Sequence, residues 1–132
     1  MKKVILGATG SIGSTLAKSL VKSGEEVHLV GRDNASLSSL ANELNSSFTT
    51  CDMLEENFTD QILSDLDGTP VNGLAYCVGS IDLKPLKLIK KSDFMQSFNL
   101  NLVSAAETIK ALADNLKQNK GSIVLFSTVA VK

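Results

Sequence analysis

The sequence predicts an α/β fold in which a parallel, doubly wound sheet carries helices on both of its faces. Short apolar runs of strand length alternate with stretches of helical period, which is the pattern of successive βαβ units. Most of these runs are rich in Val, Ile, Leu and Ala, as strands buried on both faces are. The 132 residues, 43% of them hydrophobic and 20% charged, have the size and polarity of one globular domain with one core.

The apolar runs predict five strands, at Lys3–Leu6, Glu26–Val30, Ser47–Thr50, Leu74–Cys77 and Ser122–Phe126. The first two strands enclose an amphipathic helix, whose apolar stripe consists of Ile12, Leu16, Ala17, Leu20 and Val21. Gly24, which follows Lys22, is the expected C-terminal stop of that helix.

Three further helices are predicted. The shorter two are Ser36–Leu44 and Glu55–Ser64. The longest begins at an N-cap at Ser92, and we expect it to pack along its whole length. Its apolar residues recur at steps of four and three, at Phe94, Phe98, Leu102, Ala105, Ile109, Leu112 and Leu116. The long loop Val78–Lys91, which contains Pro85, precedes this helix, and loops of that length are often functional.

Composition and charge argue against several classes of protein. The 13 Lys and Arg residues against 14 Asp and Glu residues give a formal charge of −1 without a basic block, which favours neither nucleic acid nor an anionic membrane as a partner. The chain has no apolar segment near the roughly 18 residues of a membrane span, and its apolar start reaches Gly7 too early for a signal peptide. We therefore expect a cytoplasmic protein in which Cys51 and Cys77 are thiols. The single histidine, His28, has no second ligand at metal-binding spacing, so we expect a core or edge residue and no metal site.

Three glycines, Gly7, Gly10 and Gly13, follow the first strand with the spacing G-x-x-G-x-x-G, and the amphipathic helix comes directly after them. Glycines let the chain turn sharply and let a phosphate approach the backbone, while the helix start offers unpaired N–H groups. Gly13 also lets the helix lie close to the strand. We interpret this turn as a dinucleotide-binding site rather than a tight turn without a ligand. The residues expected to contact the ligand here are Gly7, Thr9, Gly10, Ser11, Ile12 and Gly13.

With this turn in place, the chain resembles the short-chain dehydrogenase/reductase family over all 132 residues. Its further landmarks are Cys51-Asp52-Met53, Gly79, Asn101-Leu102, and Gly121-Ser122-Ile123-Val124 leading to Ser127-Thr128-Val129-Ala130. The resemblance implies that Asp52, beside Met53, accepts a hydrogen bond from the adenine amino group, and that the backbone at Val78 and Gly79 lines the cofactor's ribose. Taken alone, Asp52 would be interpreted as a helix cap.

The end of the second strand, Gly31-Arg32-Asp33, bears on the choice of cofactor. The guanidinium of Arg32 suits the 2′-phosphate of NADP(H), whereas Asp33 lies where a carboxylate would hold the 2′-hydroxyl of NAD(H). We favour NADP, with NAD as the second choice, because the resemblance puts Gly31 in the place of the family's NAD-selecting acid.

The resemblance also implies where the chemistry lies. Asn101 matches the family's catalytic Asn, and Thr128 takes the place of its catalytic Ser, with Ser127 as the alternative hydroxyl. The family's Tyr-x-x-x-Lys motif occurs nowhere in the chain, whose single tyrosine is Tyr76. The family has Asn-Asn-Ala-Gly after its fourth strand. This chain has Tyr76-Cys77-Val78-Gly79 there and keeps only the glycine of that motif.

These observations predict that residues 1–132 form an incomplete Rossmann-like NAD(P)-binding domain with strand order 3-2-1-4-5 and right-handed crossovers, truncated after the fifth strand. The parent protein would act on a small-molecule carbonyl or alcohol, and this chain alone would be inactive. A non-catalytic dinucleotide-binding module and an inert fragment are the alternatives. A bare fifth strand and an exposed face of the long helix would make the chain a homo-oligomer or prone to aggregate.

Overall fold

A computed structural model of the chain describes residues 1–79 and 84–127. Its five strands are parallel and form one sheet in the order β3-β2-β1-β4-β5, which confirms the predicted class and strand order. The strands are β1 Lys2–Leu6, β2 Glu26–Gly31, β3 Ser47–Thr50, β4 Val71–Tyr76 and β5 Ser122–Leu125. β4 begins earlier than predicted, because Val71 pairs with Lys2 and Gly73 pairs with Lys3 of β1. Asn72 and Gly73 interrupt the apolar run, so the sequence pattern does not show this part of the strand.

The helices are α1 Ser11–Lys22, α2 Asn34–Leu44, α3 Phe58–Leu66, α4 Lys91–Phe98 and α5 Ser104–Gln118. A π-helical segment, Asn99–Val103, joins α4 to α5, and a 3₁₀ turn, Leu86–Leu88, precedes α4. The predicted N-cap at Ser92 is wrong, because the cap is Lys90, whose N–H donates to Asp93 Oδ2 at 2.9 Å. α3 begins later than predicted, after the left-handed residue Asn57, and continues to the buried Leu66.

The sheet has an apolar core on each face, as a doubly wound fold requires. On one face, α1 and α2 cover Ile5, Ala8, Val27 and Leu29 together with their own Ala17, Leu37, Leu40 and Ala41. On the other face, α3 and α5 cover the side chains of Val4, Leu6, Val30, Leu74 and Tyr76. Both layers meet at β1, whose Val4, Ile5 and Leu6 are completely buried.

The expectation that the long helix packs along its whole length is wrong for its first half. Phe94, Phe98 and Leu102 are 59%, 53% and 54% exposed, whereas Leu112 and Leu116 are buried. The run from Lys91 to Gln118 is about 42 Å long at 1.5 Å per residue. Strands of at most six residues span only about 20 Å. The sheet therefore covers α5, and α4 extends past it.

The fifth strand is exposed along its length. Ile123, Val124, Leu125 and Phe126 are between 42% and 55% exposed, and within the described ranges only β4 pairs with β5. This apolar edge agrees with the bare strand that the sequence predicts.

His28 is a core residue, as predicted. It is fully buried on β2, and its Nδ1 and Nε2 lie 2.7 Å and 2.8 Å from the hydroxyls of Ser47 and Thr49 on β3. Lys2 Nζ donates to the same Ser47 hydroxyl at 2.8 Å. The described part of the chain contains no cluster of His, Cys, Asp or Glu able to hold a metal ion.

Cys51 and Cys77 are free thiols, in agreement with the prediction. They follow β3 and β4, which are separated in the sheet by β2 and β1.

Among the described residues no helix has the length and apolarity needed to cross a membrane. The cytoplasmic location stays a prediction.

Candidate functional site

The turn after β1 is fixed between the ends of the two neighbouring strands. The N–H groups of Gly7 and Ala8 both donate to Val30 O at the end of β2, at 2.9 and 3.2 Å. Gly7 has a φ of +75°, and a Cβ added to it would lie 2.7 Å from the carbonyl oxygen of Cys77, just beyond β4. Only glycine fits a position with this backbone conformation and so little space.

Gly13 brings the start of α1 against this turn. A Cβ added to Gly13 would lie 2.2 Å from Gly7 O, far inside any real contact distance. The helix N-cap is Gly10, and no side chain caps the first turn. Ser11 and Ile12 are exposed at this helix start. The sequence-predicted roles of the glycines as a sharp turn and a close helix contact therefore match the geometry.

A cleft of about 460 Å³ lies over the carboxyl ends of β1, β2 and β4. Its lining includes eight of the predicted site residues, namely Gly7, Thr9, Gly10, Arg32, Asp52, Met53, Val78 and Gly79. Sequence reasoning did not identify the other lining residues, which are Leu54, Cys77, Gln96, Ser97 and Leu100. Gln96, Ser97 and Leu100 come from the long helix, and their polarity pattern gives no signal for this role. Ser11, Ile12, Gly13, Asp33, Asn101 and Ser127 lie outside the lining.

A larger cavity of about 540 Å³ lies beside Met53 and Leu54, away from the glycine turn. Glu55, Glu56 and Glu107 contribute to its lining. Three carboxylates oppose the binding of an anionic dinucleotide, so the cleft over the strand ends is the better candidate despite its smaller volume.

Asp52 forms a turn rather than a helix cap. Its Oδ1 accepts a hydrogen bond from Leu54 N at 2.9 Å, and α3 begins only at Phe58. The following residue, Met53, is buried, and its carbonyl accepts a hydrogen bond from the buried Ser104 hydroxyl at 2.6 Å. The segment that carries Asp52 is therefore attached to the start of α5.

The end of β2 presents Arg32 and Asp33 differently. Arg32 is exposed at the cleft and forms no ion pair with another described residue. The Asp33 carboxylate caps α2, because it accepts hydrogen bonds from the Ser36 hydroxyl at 2.8 Å and from Ala35 N at 3.1 Å. These two bonds hold the pKa of Asp33 below its usual range. A Cβ added to the buried Gly31 would lie 3.3 Å from Leu37 Cδ1, so a side chain here would require Leu37 to shift by a few tenths of an ångström.

Asn101 lies in the π-helical segment, beside the mouth of the cleft. Its Nδ2 donates to Ser97 Oγ at 3.1 Å, and its Oδ1 is 2.8 Å from the position of a Cβ added to Gly79. Ser127 is exposed beyond β5, and Thr128 lies outside the described residues. The structure thus places Asn101 against the segment after β4.

Tyr76, the only tyrosine of the chain, is not placed to act as a proton donor. Its side chain is 5% exposed and belongs to the core beneath α5. Burial raises the pKa of its hydroxyl to about 12, and the hydroxyl donates to Leu100 O at 2.6 Å. A group in this environment is poorly suited to proton transfer near neutral pH.

Comparisons with known proteins agree with this geometry. The L-fucose dehydrogenase of Oryctolagus cuniculus is 30% identical to this chain over 132 residues, which cover 96% of this chain and 46% of that protein. The L-xylulose reductase of Mesocricetus auratus is also 30% identical, with 98% and 53% of the two chains covered. The chain therefore spans about half the length of the curated relatives it matches.

Among solved structures, the L-sorbose reductase of Gluconobacter frateurii, in complex with NADPH and L-sorbose, superposes with a TM-score of 0.88 at 17% identity. The match covers 97% of this chain and 52% of that one. The family model described as short chain dehydrogenase matches residues 2–132, which is nearly the whole sequence. Because the matched region contains the glycine turn, the strand order and the cleft, we conclude that the chain belongs to the short chain dehydrogenase family.

Proposed function

We propose that these residues form the cofactor-binding part of an NADP(H)-dependent oxidoreductase that acts on a small carbonyl or alcohol. The observation that carries the proposal is the single cleft in which the glycine turn, Arg32 and Asp52 meet. Backbone N–H groups at a helix start, a guanidinium and a carboxylate are the groups that recognise pyrophosphate, 2′-phosphate and adenine. The volume of about 460 Å³ is within the range of small-molecule sites.

The arrangement of the cleft suggests an orientation for the cofactor. The pyrophosphate would lie over Gly7 and Gly10, with the adenosine half toward Arg32 and Asp52 at the ends of β2 and β3. The other half would then extend over Val78 and Gly79 after β4. This direction brings the nicotinamide end toward Asn101, on the side where the family's chemistry is expected.

Three features support NADP(H) over NAD(H). Arg32 is an exposed cation at the cleft, while Asp33 is occupied as the cap of α2. Gly31 supplies no carboxylate at the position that the resemblance assigns to an NAD-selecting acid. The reductase structure in complex with NADPH is a relative consistent with this choice.

The 132 residues contain only part of the expected chemistry. When bound, the nicotinamide supplies or accepts the hydride, and the hydroxyl of Thr128 or Ser127 would hold the substrate oxygen. The chain contains no Tyr-x-x-x-Lys to supply the proton. We therefore propose that these residues bind the dinucleotide for a reaction whose proton donor is not among them, and the alternative function is a dinucleotide-binding module that catalyses no reaction.

Titration calorimetry with NADPH and NADH tests the proposal. We expect tighter binding of NADPH, and Arg32→Ala should remove most of that preference, a loss of about 1–3 kcal/mol or roughly 5- to 150-fold. Lys22→Ala, at the far end of α1, is the matched control for loss of a surface cation. Equal affinity for the two cofactors, unchanged by Arg32→Ala, would refute the assignment.

We also propose that the chain associates with itself. The support is the apolar surface left on α4 and β5, where Phe94, Phe98, Leu125 and Phe126 are each at least half exposed. Exposed apolar side chains at a sheet edge and on a helix face mark an interaction site or a tendency to aggregate. Light scattering across a concentration series is the test, and a stable monomer at high micromolar concentration would contradict it.

A further inference from the structure

The turn between α4 and α5 departs from regular helical bonding at one defined carbonyl. In an α-helix the Ser104 N–H would donate to Leu100 O, four residues before it. Here it donates to Asn99 O, five residues before it, which widens the turn into a π-helix. Leu100 O instead accepts a hydrogen bond from the Tyr76 hydroxyl, which reaches it from β4 at 2.6 Å.

The π-turn determines where Asn101 lies. This residue directly follows Leu100, and its Oδ1 lies 2.8 Å from the position of a Cβ added to Gly79. Closing the π-turn into a regular α-helix would rotate one side of the turn against the other by about 100°. α5 is fixed on the sheet by Leu112 and Leu116 and by the Ser104 bond to Met53 O. The side that moves is therefore the one that carries Asn101.

We propose that Tyr76 is a positioning residue, whose hydroxyl holds the Leu100 carbonyl and thereby keeps the carboxamide of Asn101 beside Gly79 at the nicotinamide end of the cleft. The inference rests on the proposed function, because it gives Asn101 its place toward the cofactor. Without the hydroxyl, a carbonyl in a partly buried position loses its partner, and the regular bond from Ser104 becomes the favoured replacement. π-bulges of this type occur frequently at functional sites.

The alternative role for Tyr76 is filling the core beneath α5 with its ring. Tyr76→Phe separates the two roles because it keeps the ring and removes only the hydroxyl. Thr108→Val is the matched control. It removes another buried hydroxyl, on α5, which donates to Ser104 O at 2.7 Å rather than to Leu100 O.

Ligands that occupy different parts of the cleft distinguish positioning from general loss of structure. We expect Tyr76→Phe to weaken NADPH binding about fivefold or more, as loss of one hydrogen bond predicts, and to leave 2′,5′-ADP binding within about twofold. 2′,5′-ADP contains the adenosine half and lacks the nicotinamide half. An equal loss for both ligands, or no loss for either, would overturn the proposal, and Thr108→Val should spare both affinities.

A second measurement needs no ligand and separates the two proposals. The side-chain amide resonances of Asn101, assigned by their loss in Asn101→Asp, should shift in Tyr76→Phe and stay in place in Thr108→Val. Unchanged resonances in Tyr76→Phe would overturn the positioning role even if the cofactor binds. If the unaltered chain binds neither ligand, the proposed function fails, while the resonance shift still decides whether Tyr76 holds Asn101.

Discussion

The buried histidine makes the stability of the fold depend on pH in a calculable way. The Lys2 ammonium can only donate, so Ser47 accepts from it and directs its own proton to His28 Nδ1. Nε2 then carries the ring hydrogen and donates to Thr49 Oγ1. A proton added at Nδ1 would displace the Ser47 proton and place a second positive charge near Lys2. Folding therefore favours the neutral ring.

The magnitude follows from the shifted pKa. Burial, reinforced by the positive charge of Lys2 and partly opposed by the negative charge of Asp65, lowers the pKa of His28 from 6.5 to about 4. Between these values the unfolded chain binds the proton and the folded chain does not, so the free energy of unfolding falls as the pH falls. The full effect is present above pH 6.5, and about 3 kcal/mol is lost by pH 4, at 1.36 kcal/mol per pKa unit.

Urea unfolding from pH 7.5 to 4 measures this loss. The fold lowers the pKa of carboxylates such as Asp33 and Asp93, so their protonation also lowers the free energy of unfolding at the acid end of this range. His28→Gln is the reference, because glutamine can hydrogen-bond to the hydroxyls of Ser47 and Thr49 but does not titrate. Since His28 is the only histidine, the difference between the two pH profiles belongs to it. Parallel profiles for the two proteins would refute the reasoning.

Two further changes test the way the site is built. Gly13→Ala forces a Cβ to within 2.2 Å of Gly7 O, so we expect at least 2 kcal/mol of destabilisation, roughly the upper range for overpacking, and loss of NADPH binding in unfolding and calorimetric measurements. Gly24→Ala, at a φ of +86° with nothing within 4 Å, is its control and should cost only about 1 kcal/mol of backbone strain without affecting binding. Ser104→Ala removes the hydrogen bond to Met53 O and should lower the free energy of unfolding by about 1–3 kcal/mol. It should also weaken the binding of 2′,5′-ADP measured by calorimetry. Unchanged affinity would show that this bond does not support the adenine-binding end of the cleft.

Local sequence patterns were sufficient for the sheet and most of the helices. The apolar runs of β1 and β2, the helical stripe of α1 and the glycines between them each favour the same structure. The strand order 3-2-1-4-5 predicted from this pattern is the observed one. The packing of α4 was not predictable in this way. Periodicity shows which side chains share a face of a helix, but whether another element covers that face depends on how far the sheet extends beneath it.

The candidate site shows the same limit more sharply. The glycine spacing and Arg32 identify one side of the cleft from local sequence alone. In the π-turn before Asn101, the carbonyl of Leu100 accepts a hydrogen bond from the hydroxyl of Tyr76, 24 residues earlier in the sequence, and no local pattern encodes that contact. Asp33 illustrates a second difficulty, because a carboxylate at this position is suited both to a ribose and to a helix cap, and only its contacts show the capping role.

The sheet supports α5 but not α4, and the two sides of the cleft therefore differ in rigidity. Gly7 and Gly10 follow the carboxyl end of the central strand, whose Val4, Ile5 and Leu6 are fully buried, so the amide hydrogens of these three residues should exchange with solvent only when the whole domain unfolds. Gln96 and Ser97, which line the opposite side, belong to α4, where much of the apolar face is exposed to water. Amide hydrogens in α4 should therefore exchange faster, through local opening of the helix. A dinucleotide entering this cleft would meet a base held by the core of the sheet and a helical wall, α4, that opens locally more often than the base does.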